Sequence, residues 1–307
     1  MPGTGGRFRC GGLQVELQTA RLVGQLRATE VVTYRQREAD TPFLADLLRR
    51  EPAPGQALWV VSWGFDVPPL LRRLRGRPVA YHAHSSGYGF ALPAGVPVLA
   101  VSRNTLGYWG ERASRNPPLL VPNALEPQWL ERGARGLAVV VQDGWVDDLV
   151  DLFNSATVVL YDSADHWRCS GVSEGFGLPP IEALACGCVL FSSFNHALAD
   201  TLDPGVMAHQ IGAGTLAADV ERIVAAVADP AAWLPPPRQL EKLLVELSEP
   251  RLRERWRQAL VAINAHLDRL QAGDPPLRAP TLARLRLQLW RQRLSKRLPA
   301  GLARHFA

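Results

Sequence analysis

The sequence of 307 residues lacks the features of exported and membrane-spanning proteins. No apolar run approaches the roughly 20 residues that a transmembrane helix needs. The amino-terminal stretch MPGTGGRFRCGG contains no hydrophobic signal core. Both absences predict a protein that is neither exported nor integral to a membrane, and we expect it in the cytoplasm.

Cysteine is scarce, and its positions do not suit a zinc site. The four cysteines are Cys10, Cys169, Cys186 and Cys188. A single glycine separates the last two, and no second pair of cysteines or histidines completes a ligand set. We therefore expect reduced thiols and no bound metal.

Negative charge is missing from the C-terminal end of the chain. From Arg278 onward there are eight lysines or arginines and no acidic residue, so the net charge of +5 leaves −3 for the remainder. Because the basic character belongs to this tail, a uniformly basic nucleic-acid-binding surface is a poor explanation of it. Zinc-finger and RNA-recognition motifs are also absent.

What the sequence does contain is an alternation of short β-branched runs with helical stretches. The predicted strands are 30–34, 58–62, 78–82 and 97–101, followed by 137–141, 157–161 and 188–192. The predicted helices among them include 13–27, 146–154, 178–186 and 216–229. This order predicts an α/β protein with parallel sheets that bind ligands at the carboxyl ends of their strands.

The same pattern divides the chain into three parts. We predict a first Rossmann-like domain over residues 1–122, an abbreviated second one over 123–234 and a basic helical extension over 235–307. Prolines and glycines between residues 121 and 136 fit a connection between the first two parts. The extension has three predicted helices, 237–247, 251–270 and 281–298.

The most informative motif is VSEGFGLPPIEALACGCVLFSS, residues 172–193. Glu174 opens a loop and Glu182 lies in the first turn of the following helix. Glycines allow a close backbone approach, and two prolines suit a helix start. A helix N-terminus favours an anion such as a phosphate, and carboxylates accept hydrogen bonds from sugar hydroxyls. Phosphate beside hydroxyls describes a nucleotide sugar.

This motif resembles the GT-B glycosyltransferases of family four, which carry two glutamates separated by seven residues in the context EGFGLPxxEAxAxG. The resemblance implies two facing Rossmann-like domains and a retaining transfer from a nucleotide-diphosphate-sugar donor to a hydroxyl acceptor, a glycan or a lipid. It places Glu174 beside the transferred sugar and Glu182 at the ribose. The backbone groups expected to face the donor are those of Gly175, Phe176, Gly177 and Leu178. Metal and cofactor are not implied, in keeping with the absence of an Asp-x-Asp pair.

Three positions of the first domain extend the resemblance. His84, at the end of a predicted strand, resembles the histidine that contacts the sugar, and His82 is the weaker match. Gly11 and Gly12 resemble a loop that borders the cleft before the first helix, and Ser102 resembles a serine that lines it. Since only ten residues stand before Gly11, we expect the strand that normally precedes such a loop to be missing.

A cationic pair expected from the family has no counterpart. An arginine and a lysine should follow the first strand of the second domain and neutralise the donor diphosphate, but about sixty residues, two βα units of ~30 residues, are absent there. Arg132 and Arg135, in the connection between the two domains, are the residues that could replace this cationic pair. Two hypotheses follow: a transferase, or a non-catalytic nucleotide-sugar-binding or scaffold relative.

The predicted helix 281–298 carries apolar stripes between arginines. A basic amphipathic helix of this kind suits an anionic membrane surface, and a third hypothesis is an adaptor that works through this tail. The alternative is a helix whose apolar side packs on the domain. Periodicity does not separate the two interpretations.

Overall fold

The computed structural model describes residues 1–51, 53, 55–131, 133–141, 146–195, 197–277 and 281–295. Within the last helix, side chains are described to residue 293. Arg132 and the tail beyond residue 295, which bear on two of the sequence predictions, lie outside the described residues.

Two four-stranded sheets form the molecule, and all their strands are parallel. In each sheet the strands follow one another in chain order. The first sheet consists of β1 (Trp59–Val61), β2 (Val79–Ala83), β3 (Val98–Ala100) and β4 (Pro118–Leu120). The second consists of β5 (Leu137–Val141), β6 (Ala156–Tyr161), β7 (Val189–Ser192) and β8 (His209–Gln210).

Helices surround both sheets and continue to the end of the described chain. Around the first sheet they are α1 (Gly11–Gly24), α2 (Leu44–Arg50), α3 (Val67–Arg73) and α4 (Arg103–Arg112). Around the second they are α5 (Leu149–Ser155), α6 (Ala164–Ser170), α7 (Leu178–Ala185), α8 (Leu198–Thr201) and α9 (Leu216–Ala228). The chain continues with α10 (Pro237–Glu246), α11 (Glu249–Gln271) and α12 (Leu282–Ser295).

The first sheet is covered on both faces. Leu99 and its neighbours pack on one side against α1 and α11, with Trp256 of α11 only 1% exposed. On the other side Tyr81 packs against Trp109 of α4 at 5.1 Å between ring centroids. Because both faces are buried, β2 and β3 read as continuous apolar runs.

The second sheet is covered unevenly. Its interior strands are buried between α5 and α7 on one face and α9 on the other. At the edge, β5 exposes Leu137, Val139 and Val141 by 45%, 38% and 63%. Val139 pairs with Val158, so these side chains share the face on which α9 packs but extend beyond it. An apolar strand edge is thus left open to solvent.

The segment before β5 anchors the connection between the sheets. Arg135 donates hydrogen bonds to the carbonyl oxygens of Cys186 at 2.8 Å and Gly187 at 2.6 Å, and also to that of Ala156. These carbonyls lie at the C-terminal end of α7, where a cation is favourable. Arg135 therefore lies at the opposite end of α7 from the predicted donor site and is not a substitute for a diphosphate-binding cation.

Three sequence predictions differ from the structure. Residues 30–34 form no strand, because Thr33 bonds only to a short neighbouring segment, through Pro42 and Leu44. Gly11 and Gly12 do not precede the first helix but are its first residues. Residues 164–170, which no predicted helix covers, form α6. No strand precedes α1 in residues 1–10.

In the described part of α12, all side chains from residue 282 to 293 are exposed. Leu289 and Trp290, for example, are exposed by 54% and 57%. The alternative in which an apolar side packs on the domain does not describe this helix. No helix in the described ranges combines the length and apolarity needed to cross a membrane.

Candidate active site

Two loops, one from each sheet, meet between the lobes. We call residues 172–177 the glutamate loop and residues 85–87, just after β2, the serine loop. The backbones touch where Gly175 meets His84: a Cβ at position 175 would lie 1.4 Å from the carbonyl oxygen of His84. Only glycine fits this contact. The glutamate loop is therefore packed directly against the first lobe.

Serine side chains hold the same contact. Ser86 and Ser173 share a hydrogen bond of 2.5 Å between their hydroxyl oxygens, and the Ser173 N–H donates to the Ser86 carbonyl at 3.2 Å. Ser85 donates its hydroxyl to the carbonyl of Ser173, and Trp109 donates to the carbonyl of Ser85 at 3.2 Å. These bonds are buried and fix the two loops in register.

Glu174 is buried at the end of β6, with hydrogen-bond donors from two elements. Its Oε2 accepts from the Tyr161 hydroxyl at 2.8 Å, the Trp167 indole N–H at 2.5 Å and the Ser163 hydroxyl at 3.4 Å. Burial raises the pKa of Glu174, and these hydrogen bonds only partly offset it. Since every partner is neutral, the carboxylate has no cation to hold its charge.

The helix that follows the glutamate loop begins where the sequence predicted. Gly177 is its N-cap in the left-handed region at φ 83°, and its N–H bonds to the Glu174 carboxylate. A Cβ there would lie 2.1 Å from the Leu198 side chain. The Phe176 side chain is buried in the core of the second lobe, and that of Leu178 packs against the same core. Glu174 thus lies at the positive end of α7.

Glu182 is half-buried in the first half of α7, and its environment differs from that of Glu174. Among the described residues, no donor hydrogen-bonds to its carboxylate. Burial, followed by the nearby charge of Glu126, raises the pKa of Glu182 to about 8. An unpaired carboxyl of this kind is ready to accept from a hydroxylated ligand.

In the first lobe a second buried glutamate lies beside the two histidines. Oε1 of Glu16, on α1, is 2.8 Å from Nδ1 of His82 and 2.7 Å from Nε2 of His84. Burial alone would raise the pKa of Glu16, but the histidine contacts outweigh it and hold that pKa well below its usual range. Burial lowers the pKa of His82, so its neutral ring donates to Glu16.

The Glu16 cluster also has the composition of a metal site. Its ligand atoms lie within 4.8 Å of one another. One nitrogen of each histidine already contacts the carboxylate, whereas Nε2 of His82 is buried without a partner. The His84 side chain is thereby directed at α1, while its carbonyl faces the glutamate loop.

The remaining predicted residues of the first lobe have structural environments. Gly11 and Gly12 border open space, since a Cβ at Gly11 would meet nothing within 4 Å. Ser102 is the N-cap of α4: its hydroxyl accepts from the Thr105 N–H at 3.1 Å and donates to the Thr105 hydroxyl. Next to it, the Asn104 N–H donates across the lobes to Asp200 at 2.9 Å.

An interlobe cavity of about 710 Å³ opens beside Glu174. From the first lobe it is lined by the serine loop and α4, and from the second by α6 and the start of the glutamate loop. Trp167 joins it to Glu174, because the same indole lines the cavity and donates to that carboxylate.

Sequence reasoning missed Glu16, Tyr161 and Trp167. Glu16 lies three residues from Leu13 on the buried side of α1, and an acid on an apolar helix face was the available signal. Tyr161 ends a strand, where side chains reach ligands. Nothing in the local sequence indicates that Trp167 turns toward Glu174.

The comparisons with known proteins that find a match all show similarity to glycosyltransferases. Residues 117–230 match the family model described as Glycosyl transferases group 1. A sucrose-phosphate synthase from Thermosynechococcus elongatus has a TM-score of 0.61 at 14% identity, over 83% of this chain and 94% of that one. The structure of Anabaena HepE in complex with UDP and glucose has a TM-score of 0.58 at 12% identity. The match covers 85% of this chain and 97% of that one.

A glycosyltransferase from Rickettsia africae gives a TM-score of 0.55 at 11% identity, over 84% of this chain and 95% of that one. No curated protein sequence matches the chain. At these identities the structures establish the shared fold, and the family match covers the second sheet and its site. Residues 117–230 thus resemble the group 1 glycosyltransferases, and the two facing parallel sheets have the GT-B fold.

Proposed function

We propose that the protein is a retaining glycosyltransferase that moves a sugar from a nucleotide-diphosphate donor to a hydroxyl acceptor, without a resident metal or cofactor. One observation carries this proposal: Glu174 lies at the positive end of α7 and faces the first lobe across the Gly175 contact. In support, HepE has this fold in complex with UDP and glucose.

Each proposed role follows from an environment described above. Glu174 orients the donor sugar from the start of α7, and Glu182, with no partner of its own, accepts from the ribose hydroxyls. The leaving diphosphate takes the electron pair of the broken bond to the sugar, so its negative charge is stabilised near a helix N-terminus. His84 faces this region through its carbonyl, with its ring held by Glu16.

A radiolabelled transfer assay tests the proposal directly. The protein is incubated with UDP-glucose or GDP-mannose labelled in the sugar, and transfer to saccharides, lipids or water is measured. We expect label to leave the nucleotide with the wild type and the rate to fall about 10²–10³-fold for Glu174→Ala. Nucleotide binding without any loss of label at high protein concentration would contradict catalysis.

A second candidate function is a nucleotide-sugar-binding or scaffold protein without catalysis. The observation that favours it concerns cations: in the described part of the chain, no arginine or lysine hydrogen-bonds to the glutamate loop, and Arg135 is engaged at the far end of α7. Calorimetry with UDP and GDP beside the transfer assay separates the two. Binding without transfer favours the scaffold.

We also propose that α12 lies on an anionic membrane surface at the cytoplasmic face. Its described part has four arginines, no acid and large apolar side chains that are 39–73% exposed. Co-sedimentation with vesicles of anionic or neutral lipid compares the full chain with one ending at Pro280. We expect salt-sensitive binding to anionic vesicles that the shorter chain loses. Unchanged binding would contradict the proposal.

A further inference from the structure

The side-chain hydrogen bonds to Glu174 converge on one of its two carboxylate oxygens. Oε2 accepts from the Tyr161 hydroxyl at 2.8 Å, the Trp167 indole N–H at 2.5 Å and, more weakly, the Ser163 hydroxyl at 3.4 Å. Among the described residues, no side chain forms a hydrogen bond with Oε1. The two oxygens of this carboxyl group therefore have different surroundings.

The chemistry of these groups fixes Oε2 as an acceptor. An indole nitrogen only donates, and a carboxylate oxygen has two lone pairs, which three donor groups already occupy. Burial, and then the neighbouring Glu174, raises the pKa of Tyr161, so the phenol keeps the proton that it donates. A proton on Oε2 would meet donor groups, so a neutral Glu174 carries its proton on Oε1.

Trp167 reaches Glu174 from a short, exposed helix between β6 and the glutamate loop. None of the seven residues of α6 is buried, so the helix contributes little to the core. It ends at Gly171, which is left-handed at φ 68°. The carbonyl of Gly171 lies against the first lobe, where a Cβ at Gly87 would be 2.5 Å from it. The position of the indole is thus fixed from both lobes.

Charged partners are missing around Glu174 in the described part of the chain. Burial raises its pKa, and the bonds from Tyr161, Trp167, Ser163 and the Gly177 N–H lower it, so neutral groups alone favour the ionised form. The other titratable or charged side chains on neighbouring elements do not hydrogen-bond to it: His84, Asp162, Asp165, His166, Arg168, Glu182 and Asp200.

We propose that Trp167 and Tyr161 are positioning residues that hold Oε2 of Glu174 as an acceptor, so that Oε1 is the oxygen that meets the donor sugar and carries the proton when the carboxyl group is neutral. This assignment rests on the proposed function, because it names the working atom of the glutamate that orients the donor sugar.

Carbon-13 NMR of the full chain, labelled at the glutamate carboxyl carbons, tests the proposal without requiring transfer. The resonance of Glu174 is identified by its loss in Glu174→Gln. Trp167→Phe and Tyr161→Phe keep an aromatic ring and remove one donor group each. We expect each to move the titration midpoint of Glu174 to higher pH by about one unit, because the lost bond favoured the ionised form.

Two control variants make the same chemical changes elsewhere. Tyr34→Phe removes a phenol that donates to the carboxylate of Asp66 in the first lobe. Trp233→Phe changes a half-buried tryptophan that packs on Phe191 in the second lobe. Both should leave the midpoint of Glu174 unchanged.

The transfer assay gives a second measurement. The ionised carboxylate is the form that accepts from a sugar hydroxyl, so the acid side of the pH profile of kcat should move to higher pH in both phenylalanine variants. Transfer near neutral pH should fall about tenfold, the effect of one pH unit. A merely structural role would lower the rate equally at every pH.

The outcomes separate this proposal from the proposed function. An unchanged midpoint in both phenylalanine variants would overturn the positioning role and leave the transferase standing. A raised midpoint in a protein that transfers no label would support the positioning role and contradict the transferase. If a phenylalanine variant does not fold, Ser163→Ala removes the third donor group without changing a ring. It should move the midpoint in the same direction by less, and no movement there would also overturn the proposal.

Discussion

Each lobe buries a glutamate near the carboxyl end of its sheet, and the two are held in opposite ways. Glu16 contacts two histidine rings, and its pKa falls well below the usual range despite complete enclosure. Glu174 contacts a phenol, an indole and a hydroxyl, and its pKa rises. Burial is common to both, so the partners decide the charge.

The difference between the two environments indicates that Glu16 and Glu174 have different roles. A carboxylate that is ionised and contacts two histidine rings through one oxygen, as Glu16 does, positions those rings. Glu174 is buried without a cation, an arrangement that is unfavourable until a ligand supplies compensating contacts. We therefore assign the first lobe a positioning role and the second the contact with substrate.

The largest effect should come from the residue that brings the two glutamate sites together. Gly175→Ala would place a methyl group 1.4 Å from the His84 carbonyl, so the loops must separate. We expect transfer to fall by about 10²-fold or more, since displacements of ~1 Å have that effect. Small-angle scattering should show a larger radius of gyration. Gly110→Ala, where a Cβ meets nothing within 4 Å, is the control. Full activity of Gly175→Ala would mean that the lobes work apart.

A pair of isosteric changes tests the comparison itself. Glu16→Gln removes a favoured charge and weakens both histidine contacts, which are made to the same oxygen, so we expect a loss of about 1.5–3 kcal/mol in unfolding free energy at pH 7. Glu174→Gln replaces a carboxylate whose charge is disfavoured, and should change stability by less than half as much.

The pH dependence of the unfolding free energy is a second test of the difference between Glu16 and Glu174. Because the folded-state pKa of Glu16 is depressed, its contribution is present above the unfolded value near 4.5 and is lost as pH falls through the folded value. The difference between wild type and Glu16→Gln in urea unfolding should therefore shrink in acid. Equal losses for the Glu16 and Glu174 variants would refute the distinction.

A smaller stabilisation is expected at Glu182. Its folded-state pKa of about 8 exceeds the unfolded value of 4.5, so the wild type loses stability as pH rises between these values. Glu182→Gln should raise the melting temperature at pH 8 by a few degrees, about 1 kcal/mol or more, and by less at pH 5. Thermal unfolding at both pH values measures this, and Glu221→Gln, at an exposed position of α9 on the other face of the sheet, serves as the control. A gain that is larger at pH 5 would contradict the assignment.

Metal removal is expected to have no effect on the melting temperature or on transfer. If Glu16, His82 and His84 form a hydrogen-bonded cluster, a chelator leaves both the melting temperature and transfer unchanged, and added Zn²⁺ does not raise the melting temperature. A metal held there would instead stabilise the folded protein. A drop of several degrees with chelator, restored by Zn²⁺, would show that the cluster is a metal site.

Much of the fold follows from local apolar runs and helix-start signals in the sequence. The run from residue 137 to 141 was predicted with the bounds of β5, and α7 and α9 end within one residue of the prediction. The short strand β4 was missed because it begins at the second of two consecutive prolines and two of its three residues are exposed. The strand predicted at residues 30–34 was wrong. β-branched residues favour an extended backbone, but a strand also needs a neighbouring strand to pair with.

The site was predictable only in part. Glu174 and Glu182 stand out because glycines and prolines mark the loop and the helix start around them. Glu16 meets His82 across 66 residues, and no local pattern contains that information. The sequence likewise predicted that the glycine at 175 allows a close approach, but not that the approaching group is a peptide of the other lobe.

The open edge of β5 has a practical consequence. Its exposed side chains are uncharged, and the outer backbone groups of such a strand readily pair with a strand from another molecule. On warming or concentration, we expect the protein to lose solubility by self-association through this edge before the first lobe unfolds. A lysine in place of Val139 is the substitution that should keep the protein in solution.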